Sequence, residues 1–236
     1  MKPIITLSIG GSMLIPATPA GPEPDFGYIR ALGKMLVRLS SKYKFAIVTG
    51  GGAAARIYSK GIRELSGNEF MADQAAILTT WQNAYLLLSV LEGKAYKALP
   101  RTFDEAAQAF ESSDIVIMGG TLPGITTDTD AVLFGERVGS KRIVNVSNVD
   151  AIYTADPRKD STARKIPRMT HSELAMMAAQ SDTRKAGENF VFDMLACKLL
   201  SRAGMEAHFV SGKNLKDLEN AIQGKRHSGT VVVPDK

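Results

Sequence analysis

The chain has one cysteine in 236 residues, Cys197, so no intramolecular disulfide can form. Its place in an apolar helical pattern suits a reducing compartment, and a cytoplasmic location is expected. No apolar run approaches the roughly 18 residues that a membrane-spanning helix needs. The first apolar run, Ile4–Ile9, enters Gly10-Gly11 too soon to serve as a signal peptide. Net charge is +5, yet Lys and Arg are spread along the chain without a block, so neither nucleic acid nor membrane is expected as a partner. Internal repeats and low-complexity tracts are absent. A P-loop is absent too: the Gly-Lys pairs are followed by Met35, Ala95, Asn214 and Arg226, never by Ser or Thr.

What the chain does have is glycine at the ends of apolar runs. Phe45-Ala-Ile-Val-Thr49 stops at Gly50-Gly51-Gly52 and restarts as Ala53-Ala54-Ala55-Arg56. A strand ends there and a helix begins. Backbone without Cβ atoms can turn sharply and lie against a ligand. The helix start offers unpaired N–H groups to an anion, and Arg56 adds positive charge one turn later. Gly10-Gly11-Ser12 follows the first strand, and a third cluster runs from Gly119 to Gly124. One such cluster is an ordinary tight turn. Three of them, in a chain whose strand and helix patterns alternate, point to phosphates held outside the carboxyl ends of a parallel sheet. With 44% hydrophobic residues the chain can bury a sizeable core. The expected fold is α/β, a three-layer αβα sandwich around a mostly parallel open sheet.

In order, strands are predicted at Ile4–Ile9, Phe45 to Thr49, Lys94 to Leu99, Asp114 to Met118, Arg142 to Val146, Lys165 to Met169, Glu206 to Val210 and Thr230 to Val233. Residues 16–25, broken by Pro16, Pro19, Pro22 and Pro24, are expected to be an irregular surface excursion. Helices are predicted at Phe26 to Lys42, from the glycines to Leu65, Asn68 to Leu91, Thr102 to Glu111, Asp128 to Val138, Ser172 to Ala179, Phe192 to Ala203 and Leu215 to Ile222. Asn68 and Thr102 read as N-caps. The second half of the helix capped by Asn68 is apolar nearly all round, through Leu78, Ala84, Leu86, Leu87 and Leu91, and needs cover on both sides, from the core or from a second subunit.

Gly50-Gly51-Gly52-Ala53-Ala54-Ala55 also fits a relaxed dinucleotide pattern, G-x-G-x-x-A. That pattern wants an acidic residue closing the next strand about 20 positions on, and Glu69 and Asp73 fall inside a helix instead. Taken singly, Asp73, Tyr153, Asp156 and the loop Thr121 to Thr127 each fit a solvated surface as well as a site.

Taken together, Ile9-Gly-Gly-Ser12, Val48-Thr-Gly-Gly-Gly-Ala-Ala-Ala-Arg56, the loop from Met118 to Asp128 and Asn148-Val-Asp-Ala-Ile-Tyr-Thr-Ala-Asp-Pro-Arg-Lys-Asp160 resemble the amino acid kinase family, and within it the uridylate kinases of the archaeal type. The match spans nearly the whole chain, with the motifs in the family's order. The resemblance implies an acetylglutamate kinase-like fold, a single domain over 1–236 with an acceptor lobe (about 1–140) and an ATP lobe (about 141–236). It implies Mg²⁺-assisted transfer from ATP to UMP in pyrimidine nucleotide biosynthesis. By resemblance, Gly51, Asp73, Thr121, Leu122, Pro123, Gly124, Ile125, Thr126 and Thr127 fall where such enzymes bind UMP. Gly11, Ser12, Gly52 and Arg56 fall on the ATP phosphates, with Ser12 and Arg56 as the catalytic pair. Ser147, Tyr153 and Asp156 fall around the ATP nucleoside, and Asp193 near the phosphates. A homohexamer built from dimers is implied as well.

One position departs from the wider family: Ser8 stands where many members carry a first-strand lysine that meets the transferring phosphoryl group. This favours the archaeal uridylate branch over acetylglutamate or isopentenyl phosphate kinases and leaves the main charge stabiliser unassigned. Three other readings stay open beside it: another small-phosphate kinase, a non-catalytic anion or nucleotide binder, and a dinucleotide-binding oxidoreductase.

Overall fold

Strand β1 (Ile4–Ile9) sends Ile5, Leu7 and Ile9 to one side of the sheet and Thr6 and Ser8 to the other, the period-2 alternation of a strand covered on both faces. Strand β4 (Lys44–Thr49) does the same with Phe45 and Ile47 against Ala46 and Val48. The structure, a computed structural model, describes residues 2–91, 93–157, 160–181 and 192–235. The remaining strands are β2 (Ala17–Thr18), β3 (Gly21–Pro22), β5 (Ile115–Met118), β6 (Arg142–Ser147), β7 (Arg168–Thr170), β8 (Glu206–Ser211) and β9 (Thr230–Val233). The helices are α1 (Gly11–Leu14), α2 (Phe26–Leu39), α3 (Gly52–Ser66), α4 (Glu69–Leu88), α5 (Phe103–Ala109), α6 (Thr127–Arg137), α7 (His171–Ser181), α8 (Met194–Ala203) and α9 (Leu215–Ile222).

Seven strands form one sheet in the order β5-β4-β1-β6-β8-β9-β7. Every pairing is parallel except β8 with β9. Residues of α2, α4 and α9, among them Leu32, Leu36, Trp81, Leu87 and Leu218, pack on one face of the sheet. Residues of α6, α7 and α8, among them Phe134, Leu174 and Leu200, pack on the other. This is the expected three-layer sandwich. Each such fully buried side chain contributes about 1.5–3 kcal/mol. The chain runs outward from β1 through β4 to β5, then returns to β6 on the other side of β1. That reversal opens a crevice at the carboxyl edge, where open parallel sheets bind ligands.

Three local expectations need correction. Residues 16–25 are not wholly irregular: Ala17 pairs with Pro22 and Thr18 with Gly21 in a two-stranded ribbon, closed by a 2.7 Å hydrogen bond from Thr18 Oγ1 to the Gly21 carbonyl. Proline is tolerated at such an edge, where no ladder N–H is needed. Lys94 to Leu99 forms no strand; Ala95 alone bridges Ile115 before the chain turns away toward Pro100. The short strand predicted at Lys165 to Met169 starts only at Arg168, because Pro167 has no N–H to donate to a ladder, while Lys165 bridges Tyr153 instead.

Helix α4 begins as predicted, with the Asn68 side chain accepting from the N–H groups of Phe70 (2.9 Å) and Met71 (3.4 Å). Its second half is a core helix: Ala84, Leu87 and the following Leu91 are wholly buried. The cover is one-sided, however: Met71, Leu78 and Tyr85 on α4, spaced by seven so that they share one face, are exposed, as are Tyr58 and Leu65 on α3.

Candidate active site

Because β1 and β4 are adjacent and parallel, their glycine turns land side by side. Gly50 N–H donates to the Ile9 carbonyl (2.8 Å), and Gly10 N–H donates to the Val146 carbonyl of β6 (2.8 Å). The turns touch backbone to backbone: a Cβ on Gly52 would lie 2.6 Å from the carbonyl carbon of Gly11, and Gly52 itself has φ +67°. Glycine is required there both for space and for the left-handed backbone. Ser12 on α1 faces the same junction, since that Cβ would also lie 2.9 Å from its amide nitrogen. Arg56, one turn into α3, is exposed and makes no ion pair among the described residues.

Helix α4 ties the second and third glycine turns together. Asn83 Nδ2 donates to the Gly50 carbonyl (2.7 Å). Thr80 Oγ1 accepts from Gly120 N–H (2.7 Å), and Trp81 Nε1 donates to the Gly120 carbonyl (2.9 Å). Two turns further toward its N-terminus, Asp73 Oδ2 accepts from Gly124 N–H (2.8 Å), so the loop from Thr121 through Leu122, Pro123, Gly124, Ile125 and Thr126 to Thr127 is anchored at its middle. Thr121 Oγ1 closes the loop's first end by donating to Asp130 (2.6 Å). Thr126 caps α6 at the other end through Thr129 N–H (3.2 Å) and donates to Asp193.

Three carboxylates therefore meet at the start of α6. Asp193 N-caps α8, accepting from Leu195 N–H (2.9 Å) and Ala196 N–H (3.0 Å), and also accepts from Thr129 Oγ1 (3.2 Å). Asp128 accepts from Ser8 Oγ (2.6 Å) and Asn145 Nδ2 (2.8 Å), so the residue at the lysine position holds a carboxylate instead of supplying a cation. Enclosure by protein pushes the Asp128 carboxyl up to about 7, helped by the nearby charge of Asp193 and opposed by the two hydrogen bonds. Burial likewise pushes Asp130 up to about 6, against the hydrogen bonds from Thr121. Among the described residues no three His, Cys, Asp or Glu are arranged to hold a metal ion.

Beyond the crevice, Ser147 at the end of β6 accepts Gly212 N–H on its carbonyl (2.8 Å) and binds Val149 through its hydroxyl. Tyr153 donates its hydroxyl to Asp150 (2.8 Å), and the Asp156 carbonyl accepts from Asp160 N–H (2.9 Å). Gly11, Ser12, Gly51, Gly52, Arg56, Asp73 and the loop 121–127 thus cluster at the ends of β1, β4 and β5. Asp193 joins them from α8, and Ser147, Tyr153 and Asp156 follow the end of β6. The sequence reading missed Thr80, Asn83, Asp128, Asp130 and Asn145. Thr80 and Asn83 left a signal, two polar residues in the buried face of an apolar helix; Asp128 and Asp130 looked like ordinary first-turn acids that favour a helix dipole.

The Amino acid kinase family model matches residues 3–211. A uridylate kinase of Thermococcus kodakarensis is 39% identical over 98% of this chain and 99% of its own. The solved uridylate kinase of Archaeoglobus fulgidus superposes with a TM-score of 0.85 at 33% identity, over 99% of this chain and 100% of that one. A UMP kinase from Bacillus anthracis, at 21% identity and TM-score 0.80, shares the fold over 100% of this chain and 98% of its own. The glycine turns joined at one edge of a parallel sheet, the three-layer architecture and these matches agree: the chain belongs to the amino acid kinase family.

Proposed function

We propose that this chain transfers the γ-phosphoryl group of ATP to UMP, giving ADP and UDP, as a nucleoside monophosphate kinase of pyrimidine nucleotide synthesis. The observation that carries the reading is the backbone contact between the turns at Gly11 and Gly52, which lets two phosphate chains approach the same N–H groups at one sheet edge. The full-length likeness to proteins named uridylate kinase supports the choice of acceptor.

In this reading residues 1–140 form the acceptor lobe and 141–236 the donor lobe. Gly51, Asp73 and the loop 121–127 hold UMP; Gly11, Ser12, Gly52 and Arg56 hold the ATP phosphates; Ser147, Tyr153 and Asp156 surround the ATP nucleoside. The UMP phosphate oxygen attacks the γ-phosphorus in line. It needs no strong general base, since a phosphate monoester is already ionised near neutral pH. Catalysis is then positioning and charge stabilisation, supplied by the turn N–H groups, Ser12 and Arg56. Asp193 organises the junction by tying α8 to the acceptor loop. Mg²⁺ supplies neutralisation of the donor phosphates when bound. Asp193 has both carboxylate oxygens engaged by Thr126, Thr129 and the α8 N–H groups.

The exposed apolar face of α3 and α4 supports self-association, in a hexamer assembled from dimers. A cytoplasmic location belongs to the same reading and is supported by Cys197 being a buried thiol. No helix among the described residues is long and apolar enough to cross a membrane.

The test is ADP release in a coupled assay with UMP, CMP, isopentenyl phosphate and N-acetylglutamate offered separately. UMP is expected to give the highest turnover by at least tenfold. Turnover with isopentenyl phosphate alone would assign a different kinase, and ATP binding without turnover on any acceptor would make the chain a nucleotide-binding member.

A further inference from the structure

Lys165 lies outside every motif discussed above, yet its ammonium joins three separate segments. It donates to Asp150 Oδ2 (2.7 Å) in the loop after β6 and to the Ser228 carbonyl (3.0 Å) in the turn before β9. Its own segment is paired with Tyr153 by an isolated antiparallel bridge, reinforced by Thr154 N–H to the Arg164 carbonyl (2.9 Å). The other oxygen of Asp150 accepts the Tyr153 hydroxyl (2.8 Å), and the ammonium sits 5.9 Å from the centroid of the Tyr153 ring. Asp150 is thus a two-ended clip, with Lys165 on one oxygen and Tyr153 on the other.

Stability is a poor reason for this arrangement. The side chains of Lys165 and Asp150 are 31% and 45% exposed, and ion pairs of that exposure contribute little net free energy. Orientation is a better one. The backbone around Tyr153 is held by the bridge and its flanking hydrogen bonds, but a ring tethered only at its Cα would sample several rotamers. The clip fixes the far end of the ring as well.

The anchor at the opposite end is itself rigid. Gly229 N–H donates to His227 Nδ1 (3.1 Å), which leaves the His227 proton on Nε2, donated to His208 Nδ1 (2.7 Å). The His208 proton is then on Nε2 and goes to Glu206 (2.7 Å), which also receives Arg142 Nε (3.0 Å). This chain of bonds pins the turn that carries Ser228 to strands β8 and β6. Ser228 also donates its hydroxyl to Asp217 at the start of α9.

We propose that Lys165 is a positioning residue for the donor nucleotide: through Asp150 it holds the Tyr153 ring in the orientation that packs against the ATP nucleoside. The inference rests on the assignment of Tyr153 to the donor site. Losing the clip weakens ATP binding and leaves UMP binding and the chemical step intact, because neither the glycine turns nor the acceptor loop touches it.

The experiment is steady-state kinetics and direct ATP binding for the wild type, Lys165→Met, Lys165→Arg and Tyr153→Phe, with circular dichroism and thermal melting as controls for folding. Lys165→Met is expected to raise KM for ATP five- to twentyfold, with KM for UMP and kcat within twofold. Lys165→Arg, which can still donate to Asp150, is expected to recover most of the loss. Tyr153→Phe keeps the ring and removes the tether, so it is expected to show a milder rise in KM for ATP, with no further rise when combined with Lys165→Met. A folded Lys165→Met protein with wild-type KM for ATP would overturn the proposal. Should that variant fail to fold, Tyr153→Phe decides: an unchanged KM for ATP rejects it. Absence of ATP binding in the wild type would reject the functional reading itself, a result distinct from either.

Discussion

Replacing Asp128 by Asn tests the electrostatics of the site directly. The amide is the same size, and its oxygen can still accept from Ser8 and Asn145, so the change removes the charge and keeps both hydrogen bonds. In the folded protein the carboxyl is pushed from 3.8 up to about 7. A raised carboxyl value means the folded state holds its proton more tightly than the unfolded chain. The associated stability is fully present below pH 4, where both states are protonated, and is lost as pH rises toward 7. Within that window a pH step is worth at most about 1.4 kcal/mol, and since the folded carboxyl is half-titrated at pH 7 the ideal loss between pH 5 and pH 7 is about 2.3 kcal/mol. Asp128 keeps some access to water, which screens its charge, and a loss of about 2 kcal/mol is expected. The assay is urea unfolding of both proteins at pH 5, 6, 7 and 8. The difference in unfolding free energy, Asp128→Asn variant minus wild type, is expected to grow by about 2 kcal/mol across the series and to flatten above pH 7.5. Parallel stability curves for the two proteins would refute the reasoning, showing that Asp128 ionises as freely in the fold as out of it.

Four further outcomes follow from the geometry. Arg56→Ala should slow phosphoryl transfer at least tenfold, about 1.4 kcal/mol of lost transition-state stabilisation, with the melting temperature unchanged; near-normal turnover would remove Arg56 from the catalytic role. Asp73→Asn, which weakens the hold on Gly124 N–H, should raise KM for UMP well above any effect on KM for ATP, and equal effects would contradict the division into lobes. Asn83→Ala leaves the buried Gly50 carbonyl without its donor and should cost about 1–3 kcal/mol in denaturant unfolding, while a cost below about 0.5 kcal/mol would mean the helix does not brace the turn. Leu78→Arg, placed at the centre of the exposed stripe on α4, should shift the sedimentation coefficient toward the monomer; an unchanged assembly would move the interface elsewhere.

Much of the architecture was legible because local signals agreed with the tertiary outcome. Ile4–Ile9, Leu215–Ile222 and Thr230–Val233 fall where their patterns predict, each bounded by glycine or a capping residue. The Asn68 and Thr102 caps form as expected. Lys94 to Leu99 misled because an apolar alternation says nothing about whether a neighbouring strand offers free pairing positions. The contacts that build the site were harder to read, since each joins residues far apart in the chain: Ser8 with Asp128, Thr80 with Gly120, Thr129 with Asp193. A buried carboxylate beside a serine carries no periodic signature. The missing lysine was visible as an absence, but that its place would be taken by a hydroxyl holding a carboxylate follows only from the packing of α6 against β1.

The insertion of β9 between β8 and β7 has a consequence for the order in which the protein can be made. Strand β7 pairs with β9 and, among the described residues, with no other strand, so the edge formed by residues 168–170 has no partner until residues 230–233 are available. The strands β5, β4, β1 and β6 can pair as soon as Ser147 has left the ribosome. Synthesis therefore releases one half of the crevice well before the other, and the unfinished half exposes an unpaired strand throughout the interval. A ribosome stalled just short of residue 230 would carry a chain with its glycine turns in place and strand β7 still without its partner.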